Sequence, residues 1–270
     1  MVRSNPNRTG GILTVLAAGL LPGLMGTASA QEGGPYVGVT GVTERLAVSY
    51  EKTVDNTDPR NTSRSRGQVY RADDTAAGAA YGAGFLAGYR LPLGAGGTYL
   101  SPEADLSFHG GAVRGYFEGA GSSVGRNQLG ESWPEDWSFE ERRSYGLTVR
   151  MGADIAGSET ESALSVYVVA GLRRLHARLD LDYAGCFTAT LCAADELTPV
   201  TESHDENFTG WTAGAGLEKR LGNTAVRGEV RYTDYGSAKR VVPYDDLGIT
   251  VPLVLDASGA SVRVSLIRHF

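Results

Sequence analysis

The chain of 270 residues carries 25 Lys and Arg against 31 Asp and Glu, a net charge of −6, and that acidic balance offers nucleic acid no basic face. A mean hydropathy of −0.18 is too polar for a helical membrane protein. Thirty-seven glycines and 41% hydrophobic residues instead suit a chain in which only every second position is apolar.

From the N-terminus, Arg3 and Arg8 precede a largely apolar run, Ile12 to Met25, and Ala28-Ser29-Ala30 has the A-x-A form. This predicts a cleaved secretory signal peptide over residues 1–30, with Ala28 and Ala30 as the small cleavage-site residues. An anchor helix fits poorly, because the run falls short of the roughly 20 residues a span requires and is broken by Pro22 and Gly23. No later stretch approaches a transmembrane helix, so membrane residence must come from strands. No linker, charge block or composition shift divides residues 31–270, which predicts one domain.

Period-2 patterning predicts eight strands, at 36–50, 79–91, 98–109, 139–156, 163–179, 208–221, 224–235 and 257–270. Their connections alternate: long at 51–78, 110–138, 180–207 and 236–256, short at 92–97, 157–162 and 222–223. Long loops on one side and tight turns on the other are the pattern of an outer-membrane barrel, and place both mature termini in the periplasm.

Faces follow from the two-residue repeat. The second strand sets Tyr81, Ala83, Phe85, Ala87, Tyr89 and Leu91 against Gly82, Gly84, Gly88 and Arg90. The third sets Leu100, Ala104, Leu106 and Phe108 against Tyr99, Ser101, Glu103, Asp105 and Ser107. The fourth sets Tyr145, Leu147, Val149, Met151, Ala153 and Ile155 against Arg150, Asp154 and small residues. Trp211, Ala213, Ala215 and Leu217 oppose Glu218 in the sixth, and Val226, Val230 and Tyr232 oppose Arg227, Glu229 and Arg231 in the seventh. The first and fifth strands are less regular, with Val169 falling on the polar side of the fifth. In the last strand Val262, Val264, Leu266 and Phe270 share one face and form the expected assembly signal for the barrel-assembly machinery, with Ser261, Arg263, Ser265 and His269 opposite and Ile267 breaking the pattern.

The fold predicted is therefore an all-β, transmembrane, antiparallel up-and-down β-barrel of eight strands. A soluble sandwich or lipocalin-like barrel would bury the apolar face. Against it stand the export signal, the one-sided long loops, and aromatic residues near strand ends, where interface girdles sit. Turned inward, Glu103, Asp105, Asp154, Glu218 and Glu229 share a narrow lumen with Arg150, Arg173, Arg220, Arg227, Arg231 and Arg263. An eight-stranded barrel has room only for side chains, so these groups are expected to form an ion-pair network that plugs it. The alternative is a small porin conducting through the charged lumen.

The run Gly210-Trp-Thr-Ala-Gly-Ala-Gly-Leu-Glu218, followed by Val226-Arg-Gly-Glu-Val-Arg-Tyr-Thr-Asp-Tyr-Gly236, resembles the late hairpin of the opacity-protein/OmpA-type eight-stranded outer-membrane barrels of Gram-negative bacteria. The resemblance is strong over 211–270 and general over the other strands. Arg268 departs from it where the family often has an apolar residue, though an Arg there can snorkel to the headgroups. The resemblance implies residence in the outer membrane among its lipids and lipopolysaccharide, and a structural or surface-interaction role: envelope integrity, adhesion or a surface antigen.

Catalysis has little support in the sequence. Some barrels of this size modify lipid A with a His-Ser-acid set, the third reading after a surface protein and a porin, but Ser107 and His109 turn inward here. Gly121-Ser-Ser-Val-Gly125 lacks the strand-turn-helix setting of a nucleophile elbow. No metal or cofactor motif occurs. Cys186 and Cys192 fall together in the third long connection and are expected to form a disulfide in an exported protein, worth about 2 kcal/mol of mainly local order. Two thiolates alone fall short of a zinc site. That connection is acidic and is read as solvated, with any surface ligand expected at the loops. Trp133 to Trp137 either exposes aromatics beside acids or folds back on the rim.

Overall fold

The computed structural model describes residues 33–61, 66–94, 96–117, 135–156, 162–185 and 198–270. Its strands are β1 (Gly34–Asp55), β2 (Val69–Pro92), β3 (Thr98–Gly110), β4 (Ala112–Phe117), β5 (Glu135–Ala156), β6 (Ser162–Gly185), β7 (Thr198–Leu221), β8 (Thr224–Tyr244) and β9 (Ile249–His269). All pair antiparallel, each with its neighbour in the ring. β1 bonds both β2 and β9, and β3 bonds β5, so the sheet closes on itself. β3 and β4 are two pieces of one stave. Both pair with β5, and the break falls at Gly111, whose φ is +100° and whose absent Cβ would lie 2.6 Å from the Ala79 carbonyl oxygen. The ring thus has the eight staves expected.

The staves are far longer than expected. Apart from the divided one they run 21 to 24 residues, about twice the 9–11 residues that cross a bilayer. Much of what reads as long loop in the sequence is strand: β1 runs on to Asp55 and β2 starts at Val69, β6 reaches Gly185, and β8 and β9 meet through a 3-10 turn at Asp245–Leu247. Short connections still gather at the end that holds residues 33 and 270, here the near end, and the far-end connections are longer except the one between β8 and β9.

The physical reason is an inversion of chemistry without an end to the strand. In β6, Val168 and Leu172 face out while Ser165 and Arg173 face in. Further along the same unbroken alternation, Leu175, Ala177, Leu179 and Leu181 face in while Arg174 and Asp182 face out. Two strands make the change with a bulge. β5 slips between Glu141 and Arg143 and β8 between Asp234 and Gly236, so Trp137 and Phe139 point inward although Tyr145 and Leu147, at positions of the same parity, point out. The barrel therefore has a lower storey, apolar outside and charged inside, and an upper storey, polar outside and apolar inside.

The expected faces hold in the lower storey. Tyr81, Phe85, Tyr89, Leu106, Phe108, Leu147, Val149, Met151, Leu217, Val226, Val230, Val262, Val264, Leu266 and Phe270 are all exposed, Leu147 to 70%. Val169 and Ile267, which break the alternation, point inward and are buried. Ile267 packs with Tyr36, Leu86 and Ala225, and Val169 with Tyr99 and Tyr167.

Candidate functional site

The lower interior is an ion-pair lattice. Arg150, 2% exposed, sends Nη2 to Glu103 at 2.5 Å and Nε to Glu229 at 3.2 Å. Arg227 holds Glu218 through Nε and Nη2 at 2.9 and 2.8 Å and reaches Glu103 through Nη1 at 2.7 Å. Arg231 is bonded to Glu229 and lies 3.6 Å from Asp105. Asp105 receives a two-pronged contact from Arg173, at 2.6 and 3.3 Å, and a third from Arg263 at 3.1 Å. Tyr36 donates to Glu103 at 3.0 Å and Tyr167 to Glu229 at 3.0 Å. Shared carboxylates of this kind, each bridging guanidiniums from different staves, satisfy charges that would otherwise be costly to bury.

Among the described residues, each residue expected in this lattice except Arg220 has an oppositely charged partner within ion-pair distance. Arg220 sits at the near rim, where Nη2 donates to His269 Nδ1 at 3.0 Å, and joins the lattice only through His269, whose Nε2 is 3.4 Å from Glu218. Arg90, expected to face the lumen but not counted in the lattice, bonds Asp154 at 2.8 Å and stacks 3.6 Å over the Tyr99 ring. Its position opposite the second strand's apolar face was the signal for it. The tyrosines fit because glycines lie beneath them. A Cβ on Gly88 would meet the Tyr36 hydroxyl at 2.3 Å, and one on Gly216 the Tyr167 hydroxyl at 2.3 Å. Gly216→Val is accordingly expected to destabilise the barrel by about 3 kcal/mol through overpacking, read as a lowered midpoint of urea unfolding in lipid vesicles. Gly228→Val, where a Cβ meets nothing within 4 Å, should leave that midpoint near wild type.

Above the lattice Tyr235 donates to Glu44 at 3.0 Å, with Glu141 at 3.4 Å. These acids escape a reading that seeks alternation of lipid-facing residues, because they sit where the faces exchange character. His109 is here too. Its Nε2 is 2.8 Å from Ser144 Oγ and 3.3 Å from Glu141 Oε1, so serine and acid crowd one ring nitrogen, whereas a nucleophile relay needs them on opposite nitrogens. Ser107 accepts from Arg263 at 3.0 Å.

The upper interior is an apolar plug. Tyr50, Trp137, Phe139, Leu175, Leu179, Leu181, Phe208, Leu253 and Leu255 are buried together across five staves. Trp137 packs edge-on against Tyr50 at 5.8 Å and donates its indole N–H to Asp74 at 3.0 Å. It therefore folds inward and does not form an exposed patch. Lys52 and Glu135 pair near the top. Tyr183 and Tyr244 both donate to Glu202 Oε1, at 2.8 and 2.6 Å. Burial raises the Glu202 pKa, but the Tyr244 and Tyr183 hydroxyls outweigh it and hold the carboxyl below its ordinary range. A depressed folded-state pKa stabilises above the unfolded value, and that stability is lost as pH falls through the folded one. Unfolding midpoints measured from pH 7 down to pH 3 should therefore fall less steeply for Glu202→Gln than for wild type.

The signal peptide with Ala28 and Ala30, the Cys186 and Cys192 disulfide, Trp133 and the 121–125 run lie outside the described residues.

A closed antiparallel ring, apolar outside over one storey and charged within it, is the architecture of a barrel that crosses a bilayer. The model of the outer membrane protein beta-barrel domain matches residues 13–267. The chain belongs to that family. Its outward apolar band is the lipid-facing surface, and the lattice lies at bilayer depth. Among solved structures the chain is similar to Ail, the attachment invasion locus protein of Yersinia pestis, at 16% identity over 84% of this chain and 98% of that one with a TM-score of 0.25. It is also similar to Neisserial surface protein A, at 10% identity over 84% and 97% with a TM-score of 0.34. Comparison with curated proteins returns no match.

Proposed function

We propose that the protein is a closed, non-conducting barrel of the outer membrane that carries a stiff β collar beyond the lipid as a surface for envelope integrity or contact. The observation that carries this reading is the apolar plug, since buried side chains from seven staves fill the bore above a lattice that already fills it below. The exposed charges of the collar, among them Glu51, Arg71, Asp73 and Asp182, keep it out of lipid, and the longer connections at that end support placing it outside the cell with the near end in the periplasm.

Orientation is tested by an epitope inserted beside Arg60, in the exposed β1–β2 turn. Antibody labelling of intact cells is expected, and labelling only after lysis would reverse the reading. Deletion should lower detergent resistance or surface attachment, restored by the wild-type gene, with an unchanged lipid A mass spectrum. A changed lipid A spectrum would replace this role with an enzymatic one.

A further inference from the structure

Between the lattice and the plug the barrel buries two acids that no cation holds. Glu44 of β1 is 4% exposed and Glu141 of β5 is fully buried. Both carboxylates converge on one hydroxyl. Tyr235 Oη lies 3.0 Å from Glu44 Oε1 and 3.4 Å from Glu141 Oε1, and a hydroxyl has a single proton to give. Glu141 Oε2 is buried with no hydrogen-bond partner among the described residues.

The guanidiniums that act on this pair, Arg173 of β6 and Arg263 of β9, are engaged elsewhere. Arg173 donates to Asp105 and Ser144, and Arg263 to Asp105 and Ser107. Among the described residues, no Lys or Arg lies within ion-pair distance of either glutamate. His109 of β3 does not supply the missing charge. Its Nε2 is 3.3 Å from Glu141 Oε1, but Nδ1 is buried without a partner, and an imidazolium would strand an N–H there with no acceptor. Ala80 of β2 stands opposite Glu44, and Gly210 of β7 opposite Arg173, so these positions add no charge. Two carboxylates gathered on one hydroxyl away from solvent do not both ionise.

We infer that Glu44 and Glu141 hold one proton between them, so that a carboxylic acid stands beside a carboxylate where the lattice meets the plug. The pair is a proton-binding site and a pH-sensitive joint. Loss of the proton sets two negative charges against each other and loosens the barrel at that level.

Wild type refolded into lipid vesicles at pH 7 is expected to show the infrared carbonyl stretch of a protonated carboxylic acid, separate from the carboxylate and amide bands. Glu141→Gln is expected to abolish it. Glu202→Gln, at an acid held by two tyrosines outside the pair, is expected to leave it in place. Stability gives an independent readout. An unfolded glutamate ionises at about pH 4.3, so between pH 5 and pH 7 wild type takes up a proton on folding. Its unfolding constant should therefore rise about tenfold per pH unit relative to that of Glu141→Gln, the opposite sign to that expected of Glu202. Should Glu141→Gln fail to refold, the wild-type spectrum decides alone. No such band in wild type, a band that survives Glu141→Gln, or equal pH slopes would each overturn the inference. Absence of the band together with an unfolding midpoint raised by sodium would make the occupant a metal cation and overturn the proton.

Discussion

Arg150→Met is expected to lower the unfolding free energy by about 3–5 kcal/mol, among the largest effects of any single lower-storey substitution. Arg150 is the centre of the lattice: it binds Glu103 and Glu229 and lies 3.5 Å from the Tyr36 hydroxyl. Methionine fills much of the same volume, so packing changes little and the loss is electrostatic. Glu103 keeps Arg227, and Glu229 keeps Arg231, but each loses a counter-charge at a place water does not reach. Neutralising the stranded acids should reverse much of the damage, because a buried charge without its partner costs more than the pair contributes. In urea unfolding from lipid vesicles, Arg150→Met with Glu229→Gln should therefore be more stable than Arg150→Met alone. Simple additivity of the two losses would mean that the lattice is a set of independent pairs.

Trp137→Ala is expected to cost a similar amount, about 3–5 kcal/mol, by a different mechanism. The indole is 1% exposed, lies against Gly115, where a Cβ would meet its ring at 2.3 Å, and abuts Tyr50. Its removal leaves a cavity that neighbouring staves cannot close, because strand pairing fixes their spacing, and it strips Asp74 of an indole donor while the Tyr116 N–H at 3.0 Å remains. Trp137→Phe should recover most of the packing but not the hydrogen bond, placing it between alanine and wild type. A loss under 1 kcal/mol for alanine would show that the upper storey is loosely packed and does not seal the bore.

The lower storey was legible because one rule governs it: lipid outside forces every second residue to be apolar, and the residues between must face the lumen. That rule turns Glu103, Asp105, Arg227, Glu229 and Arg231 inward, and all five are buried. It fails above the bilayer, where water outside and a plug inside reverse the pattern. In β6 the sequence Leu172-Arg173-Arg174-Leu175 carries the exchange, and two adjacent arginines facing opposite sides look like the end of a strand rather than its continuation. In β5 and β8 the bulges hide the exchange further, since no residue type marks the slip at Arg142 or Tyr235. Glu44 and Glu141 were missed for the same reason, lying at the boundary where neither pattern holds. Arg90 was legible by parity and needed only to be counted.

Planar-bilayer recording of the refolded full chain tests the closed bore most directly. The filled lattice and the apolar plug predict silence, in wild type and in Arg227→Ala alike. Reproducible conductance steps in wild type that vanish or change ion selectivity in Arg227→Ala or Glu229→Ala would contradict it, and would make the charged lumen a conducting path.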